Sequence, residues 1–126
     1  MIQRALKDAG IAASDVAFVV SSASGSAELD AREGAAIAAA VGSRVPVAAI
    51  KAMTGEALGA SGALQALAAL ETMRTGRLPG VAGLQQLDPS LAIDASPHTR
   101  EVRAGHALVT AIAPEGNCCA LVLSTD

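Results

Sequence analysis

Few residues in this chain are equipped for chemistry, and they lie in short groups. Ser22, Ser24 and Ser26 alternate within Ser21-Ser-Ala-Ser-Gly-Ser26, Asp30 and Glu33 follow, and Lys51 and Glu56 flank Ala52-Met-Thr-Gly55. Ser22 can donate one weak hydrogen bond, whereas an ionised Glu56 only accepts. Lys51 is equally suited to an ion pair with Glu33 or with Glu56. Ser24 and Ser26 precede a predicted helix and suit its capping. Cys118 and Cys119 are adjacent, which excludes an ordinary disulfide between them and a spaced zinc site, so no metal centre is expected. His98 and His106 fall in a loop and just before a strand, positions that suit surface or capping roles.

The elements that must position these residues follow from apolar spacing. Ile2, Ala5, Leu6 and Ala9 share one helical face that ends at Gly10. Asp15-Val-Ala-Phe-Val-Val20 reads as a buried strand, and Ser21 to Ala27 as the loop at its C-terminal end. Glu28 to Val41 is a predicted helix with Leu29, Ala36, Ile37 and Ala40 inward, closed by Gly42. Arg44 to Ile50 is a second strand, Lys51 to Gly55 a second strand-to-helix loop, and Glu56 to Arg74 a long helix. Pro79 to Ser90 reads as irregular, Leu91 to Ile93 as a short edge strand. Ala107 to Ile112 and Cys118 to Leu123 are strands joined by a turn at Pro114-Glu-Gly-Asn117. The order β-α-β-α-β-β predicts an α/β fold with a mixed sheet whose first strands are parallel.

The chain has 126 residues with a formal charge of -3, 52% hydrophobic and 17% charged, so it is neither a disordered tail nor a linker. That length fits one domain, residues 1–126. Mild acidity and a lone aromatic, Phe18, argue against nucleic-acid binding. No stretch is long and apolar enough to span a membrane, and the N-terminus lacks the apolar centre of a signal peptide, so the cytoplasm is the expected compartment. Thirty alanines and twelve glycines supply much of the apolar content and allow backbones to approach closely.

Leu58-Gly-Ala-Ser-Gly-Ala-Leu-Gln-Ala-Leu-Ala-Ala-Leu70 carries no charge on any face. A helix of that kind should be buried on both sides, and one sheet covers only one. A second layer against Leu64, Leu67 and Leu70 is therefore expected.

The order of these segments resembles the C-terminal half of β-ketoacyl-acyl carrier protein synthases, members of the thiolase superfamily, across essentially the whole chain. Ala5-Leu-Lys-Asp-Ala-Gly-Ile11 with Asp15-Val16 looks like the family's opening helix and turn, and Asp30-Ala-Arg-Glu33 its Asp-x-x-Glu. Val45-Pro-Val47, Lys51-Ala-Met-Thr-Gly55 and Leu58-Gly-Ala-Ser-Gly-Ala63 resemble its second strand, its Lys-Ser-x-Thr-Gly-His segment and the helix start that follows. Gly76-Arg-Leu-Pro79, Asp88-Pro89 and Gly116-Asn117 complete the order.

The resemblance implies half of a thiolase-like fold, in which a second half sandwiches the uncharged helix. It also implies that the family's two catalytic histidines correspond to Ser22 and Glu56, while Lys51 keeps its active-site ammonium. Ser24 and Ser26 stand at its two pantetheine-contacting loop threonines, and with Thr54 and Asn117 form the expected substrate contacts. Asp30, Glu33 and Lys51 form the expected polar network. The family's nucleophilic cysteine lies in the half absent from these residues, and Cys118 and Cys119 are expected to be packed on the last strand. No confident catalytic residue remains.

Two lost histidines and a retained Lys-x-Met-Thr-Gly look like chain length factors, inactive partners that pair with a ketosynthase in polyketide or fatty acid biosynthesis. The expected partners are a ketosynthase and an acyl carrier protein, in a homo- or hetero-oligomer, with contact to the carrier's phosphopantetheine and no bound cofactor. One alternative is half of a split condensing enzyme completed by an N-terminal chain. Another is a non-enzymatic module that covers its apolar helix by self-association.

Overall fold

The computed structural model describes residues 1–125. In chain order it contains α1 (Ile2–Ala9), β1 (Val16–Val20), α2 (Ala27–Val41), β2 (Pro46–Ala48), α3 (Lys51–Thr54) and α4 (Ser61–Thr75). These are followed by β3 (Arg77–Leu78), β4 (Asp94–Ala95), β5 (Arg100–Glu101), β6 (His106–Ile112) and β7 (Cys118–Leu123). Five strands form one sheet in the order β4-β2-β1-β6-β7, with β7 alone antiparallel to its neighbour, and β3 pairs with β5 in a separate ribbon. The mixed α/β sheet expected from the element order is thus present. The short edge strand falls at Asp94–Ala95, just after the expected Leu91 to Ile93.

Helices α1 and α2 pack on one face of the sheet and α4 on the other, which gives each face its own core. Ile2, Leu6, Val16, Val19, Ile37, Val41, Val47 and Leu108 form the first. Phe18, Val20, Ala48, Ile50, Ala69, Leu78, Ala107 and Val109 belong to the second. Strand alternation alone would put Val16 and Phe18 on the same face. A register shift between them against β6 changes the parity and sends Phe18 to the α4 side.

The expected long helix is divided. Lys51–Thr54 is a single turn of helix rather than a loop, Leu58–Ala60 is a 3₁₀ turn, and the regular helix begins only at Ser61. It ends at Gly76, whose left-handed φ of 69° lets its N–H return to Thr72 O. Burial on α4 is the reverse of an ordinary amphipathic helix. Ser61, Gln65, Ala69 and Thr72 face the sheet, while Leu67 is 62% exposed and Leu70 47% exposed. Among the described residues nothing covers that leucine face, so this chain by itself buries one side of the helix and not two.

The irregular segment after β3 is held by close backbone approach. Val81 N donates to Ser96 O at 2.8 Å, and a Cβ at Gly80 would overlap the backbone of Pro97 and His98. Gly80→Ala is expected to cost about 2 kcal/mol or more, because the overlapped atoms are main chain and cannot rotate away. Chemical denaturation of the two proteins side by side measures it.

Candidate functional site

The polar residues converge at the C-terminal ends of β1 and β2, the edge at which α/β sheets present their loops. A cleft of about 620 Å³ there is lined by Ser22, Lys51, Glu56, Ser61, Gln65 and Asn117 together with the end of β6 and the turn into β7. Ser22 lies two residues past the end of β1 and is buried. Its Oγ accepts from Lys51 Nζ at 3.2 Å and from Ile112 N at 3.3 Å, so it ties α3 to the end of β6.

Lys51, in the first turn after β2, has its side chain only 8% exposed and donates to Glu56 Oε2 at 2.7 Å. Of the two partners open to it in the sequence, Glu56 is the one it contacts. Glu56 Oε1 accepts from Ser61 Oγ at 2.6 Å and Leu58 N at 2.9 Å. The Lys51 ammonium and the Ser61 hydroxyl hold the Glu56 carboxyl down to about 2. It is therefore a fixed anion, and the same carboxylate pins Leu58 in a left-handed backbone conformation, φ 49°, with its side chain 81% exposed. Such a φ is costly for a branched residue without a tether.

Because the folded carboxyl lies below the ordinary value, Glu56 contributes stability that is complete above about pH 4.5 and lost as pH falls through about 2. In Glu56→Gln that acid-dependent loss should shrink across this window, read by acid unfolding of both proteins. Glu33 has the opposite sign. Burial pushes its carboxyl up, against hydrogen bonds from Thr110 and Ser22, so its contribution is fullest at low pH and lost as pH rises through its folded value.

Glu33 Oε1 receives Ser22 N at 2.8 Å and Thr110 Oγ1 at 2.6 Å. It makes no hydrogen bond to Lys51 or Asp30. Asp30 instead closes the serine loop, accepting from Ser24 N at 3.1 Å and Gly25 N at 2.9 Å. The three residues of the expected network are thus anchored separately. Ser26 Oγ accepts from Leu29 N as the N-cap of α2. Thr54 Oγ1 turns back to Ile50 O at 3.3 Å and lines a different groove, beside Met53 and Leu64. Ser24 lines a cavity on the α2 side of the sheet. Of the four expected substrate-contacting residues, only Asn117 lies in the cleft, at the turn where Ala113 N donates to its carbonyl.

Three further residues enter the site. Ser61 holds Glu56, Thr110 holds Glu33, and Gln65 spans the strand ends: its Nε2 donates to Ser21 O and Thr110 O, each at 2.8 Å, with Val20 O at 3.4 Å. The signal for the first and last was a hydroxyl and an amide one turn apart in an otherwise apolar helix. Cys118 and Cys119 are exposed and border the cleft, contrary to the expected packing, because β7 is the outermost strand of the sheet. His98 is exposed, and His106 Nδ1 lies 2.7 Å from Ser124 Oγ just past the end of β7, away from the cleft. Among the described residues no His, Cys, Asp and Glu cluster could hold a metal ion, and no helix is long and apolar enough to cross a membrane.

Residues 1–85 match the family model described as beta-ketoacyl synthase, C-terminal domain. The chain is 38% identical over 124 residues to the tetracenomycin polyketide synthase ketoacyl synthase beta subunit of Streptomyces glaucescens, covering 97% of this chain and 30% of that protein. It is 33% identical over 106 residues to the alpha subunit from the same organism, covering 81% of this chain and 25% of that protein. The solved ishigamide ketosynthase/chain length factor superposes with a TM-score of 0.93 at 29% identity over 99% of this chain and 32% of that one. A ketosynthase bound to a hexaketide, in complex with its type II polyketide synthase acyl-carrier protein, superposes with a TM-score of 0.88 at 26% identity, again over 99% of this chain and 32% of that one. The chain therefore spans less than a third of the length of these relatives.

Proposed function

The chain belongs to the beta-ketoacyl synthase family through its C-terminal domain, and from that premise we propose that it serves as part of a chain length factor-type subunit. In this reading it supports and shapes acyl-chain binding beside an active ketosynthase and does not itself condense. The observation that carries the reading is the Lys51–Glu56 ion pair at 2.7 Å, at the position to which the resemblance assigns the family's second histidine.

Decarboxylative condensation needs hydrogen-bond donors aimed at a developing enolate. Here both oxygens of Glu56 only accept, and the Ser22 hydroxyl, already accepting from Lys51, has its one proton directed toward Ile112 O at 3.5 Å. A fixed carboxylate beside a developing enolate repels it, and the Lys51 ammonium at 2.7 Å offsets only part of that repulsion. Protonation would remove that repulsion, but Lys51 and Ser61 keep the group ionised. The site retains acidic and hydroxyl groups for structure rather than for turnover.

The uncovered leucine face of α4 supports the second part of the reading, since a partner layer is what such a face requires. The beta and alpha ketosynthase subunits among the relatives, and the carrier-protein complex among the solved structures, make a ketosynthase and an acyl carrier protein the partners to test. The test is co-expression with a ketosynthase and carrier protein, followed by co-purification and product analysis. We expect a stable complex whose product length depends on this chain, and no malonyl-thioester decarboxylation by the chain alone. Condensation appearing on mixing with an N-terminal, cysteine-bearing chain would instead identify a split enzyme. A homodimer indifferent to carriers would leave only the structural module.

A further inference from the structure

On the α2 side of the sheet, separated from the cleft by Lys51, lies a second cavity of about 410 Å³, within the size range of small-molecule sites. The ends of β1 and β2, helix α2 and the 81–91 segment enclose it, with aliphatic walls that include Ile37, Val47, Leu91 and Ile93. Three acids line it, Asp30, Glu33 and Asp88, against one lysine, Lys51, which Glu56 already neutralises. Asp30 uses both oxygens on the serine loop, and Asp88 Oδ1 receives both the N–H and the hydroxyl of Ser90.

Glu33 is different. It is 3% exposed, and Oε1 takes both of its hydrogen bonds. Oε2 makes none among the described residues. The fully occluded side-chain atoms without a partner are Gln65 Oε1 and Thr72 Oγ1, so Glu33 Oε2 is not sealed off; it opens on the cavity that Glu33 lines. Burial disfavours the charged form of Glu33, and a charged donor at Oε2 is what would hold it as a carboxylate.

We infer that this cavity binds a small primary aliphatic ammonium ion, its head donating to Glu33 Oε2 and its alkyl body lying against Ile37, Val47, Leu91 and Ile93. A carboxylate ligand would meet three acids. A quaternary ammonium has no N–H for Oε2, and the aromatic cage that would hold it is absent from the cavity, since Phe18 belongs to the opposite core. A neutral alcohol supplies a donor without the charge.

Calorimetric titration of the full 126-residue chain with hexylammonium, hexan-1-ol and hexanoate tests this. Saturable binding of hexylammonium at one site is expected, at least tenfold tighter than hexanol, with none for hexanoate. Glu33→Gln retains the Oε1 acceptor for Ser22 and Thr110, and should weaken hexylammonium at least tenfold while leaving hexanol unchanged. Gly34→Leu grows a side chain from a Cβ site 3.5 Å from Ile93 Cγ2 and 3.6 Å from Leu91 Cδ2, filling the cavity from a helix, and should abolish binding of both, with circular dichroism showing that the variant is folded. Equal affinity for hexanol, an unchanged hexylammonium affinity in Glu33→Gln, or no saturable binding by the folded chain each overturns the inference. No ketosynthase or carrier protein enters the experiment, so its outcome is independent of the proposed function.

Discussion

Gln65→Leu should be among the most destabilising single substitutions in this chain. The leucine matches the glutamine in bulk but leaves Ser21 O and Thr110 O, each 2.8 Å from Nε2, without a donor in a site that is 0% exposed. An amide nitrogen carries two protons, so these two short bonds are the ones lost and Val20 O at 3.4 Å is a bystander. Each buried acceptor left unpaired costs about 1–3 kcal/mol, about 2–6 kcal/mol for the two, offset in part because the leucine also removes the unpaired Gln65 Oε1. Against the ~5–15 kcal/mol that holds a typical domain, this is a large fraction, and the melting temperature should fall by about 10 °C or more.

The charge variant separates hydrogen bonding from packing. Gln65→Glu would aim an anion at two carbonyl oxygens, raising the introduced carboxyl's pKa above its unfolded value. Its stability deficit should therefore be smallest at low pH, where a protonated acid donates one bond, and should grow as pH rises through the folded value. Urea melts at pH 4 and pH 7 read the difference. A Gln65→Leu protein within about 1 kcal/mol of the parent would show that the carbonyls find other donors.

Leu67→Glu should leave the isolated chain's stability within about 0.5 kcal/mol of the parent, because the side chain is 62% exposed there. Its effect belongs to association. In a complex that covers α4, a carboxylate would replace a leucine whose burial is worth about 1.5–3 kcal/mol, and would add the cost of desolvating an unpaired charge. Affinity for the covering partner should drop at least ~100-fold, about 2.7 kcal/mol. Ala39→Glu, on the exposed side of α2 across the sheet, is the control and should leave the complex intact. Sedimentation of each variant with the co-expressed partner measures both. Unaltered association in Leu67→Glu would place the interface elsewhere and remove the leucine face from the proposed function.

The two experiments address opposite sides of one helix, and the contrast between them is the main structural feature of α4. Its inner side holds Ser61, which serves the Glu56 carboxylate, Gln65, which serves strand-end carbonyls, and Thr72, whose Oγ1, like Gln65 Oε1, is unpaired. Leu67 and Leu70 are left outside, while Leu64 is half-buried against the core. Burying polar groups inside and leaving apolar ones out is unfavourable for a free-standing domain and favourable for one half of a larger packed unit.

Much of the local architecture was legible in the residues. Val16 to Val20 is an unbroken apolar run, Ser26 an N-cap, and Gly76 a helix stop, each governed by neighbours a few positions away. The lack of charge on Leu58 to Leu70 also pointed to a helix that one sheet cannot cover, and Leu67 and Leu70 are exposed in this chain. Tertiary structure alone decided which acid meets Lys51, since Glu33 and Glu56 are both in plausible reach until α2 and the Leu58–Ala60 turn are placed. It likewise decided that Ser24, Thr54 and Asn117 line three separate spaces, and that the shift after Val16 sends Phe18 to the α4 core. The physical reason is range. Capping, turns and periodicity are set by nearby covalent neighbours, whereas side-chain pairing and the inward face of a helix depend on strands tens of residues away, whose carbonyls here outweigh the leucines' preference for burial.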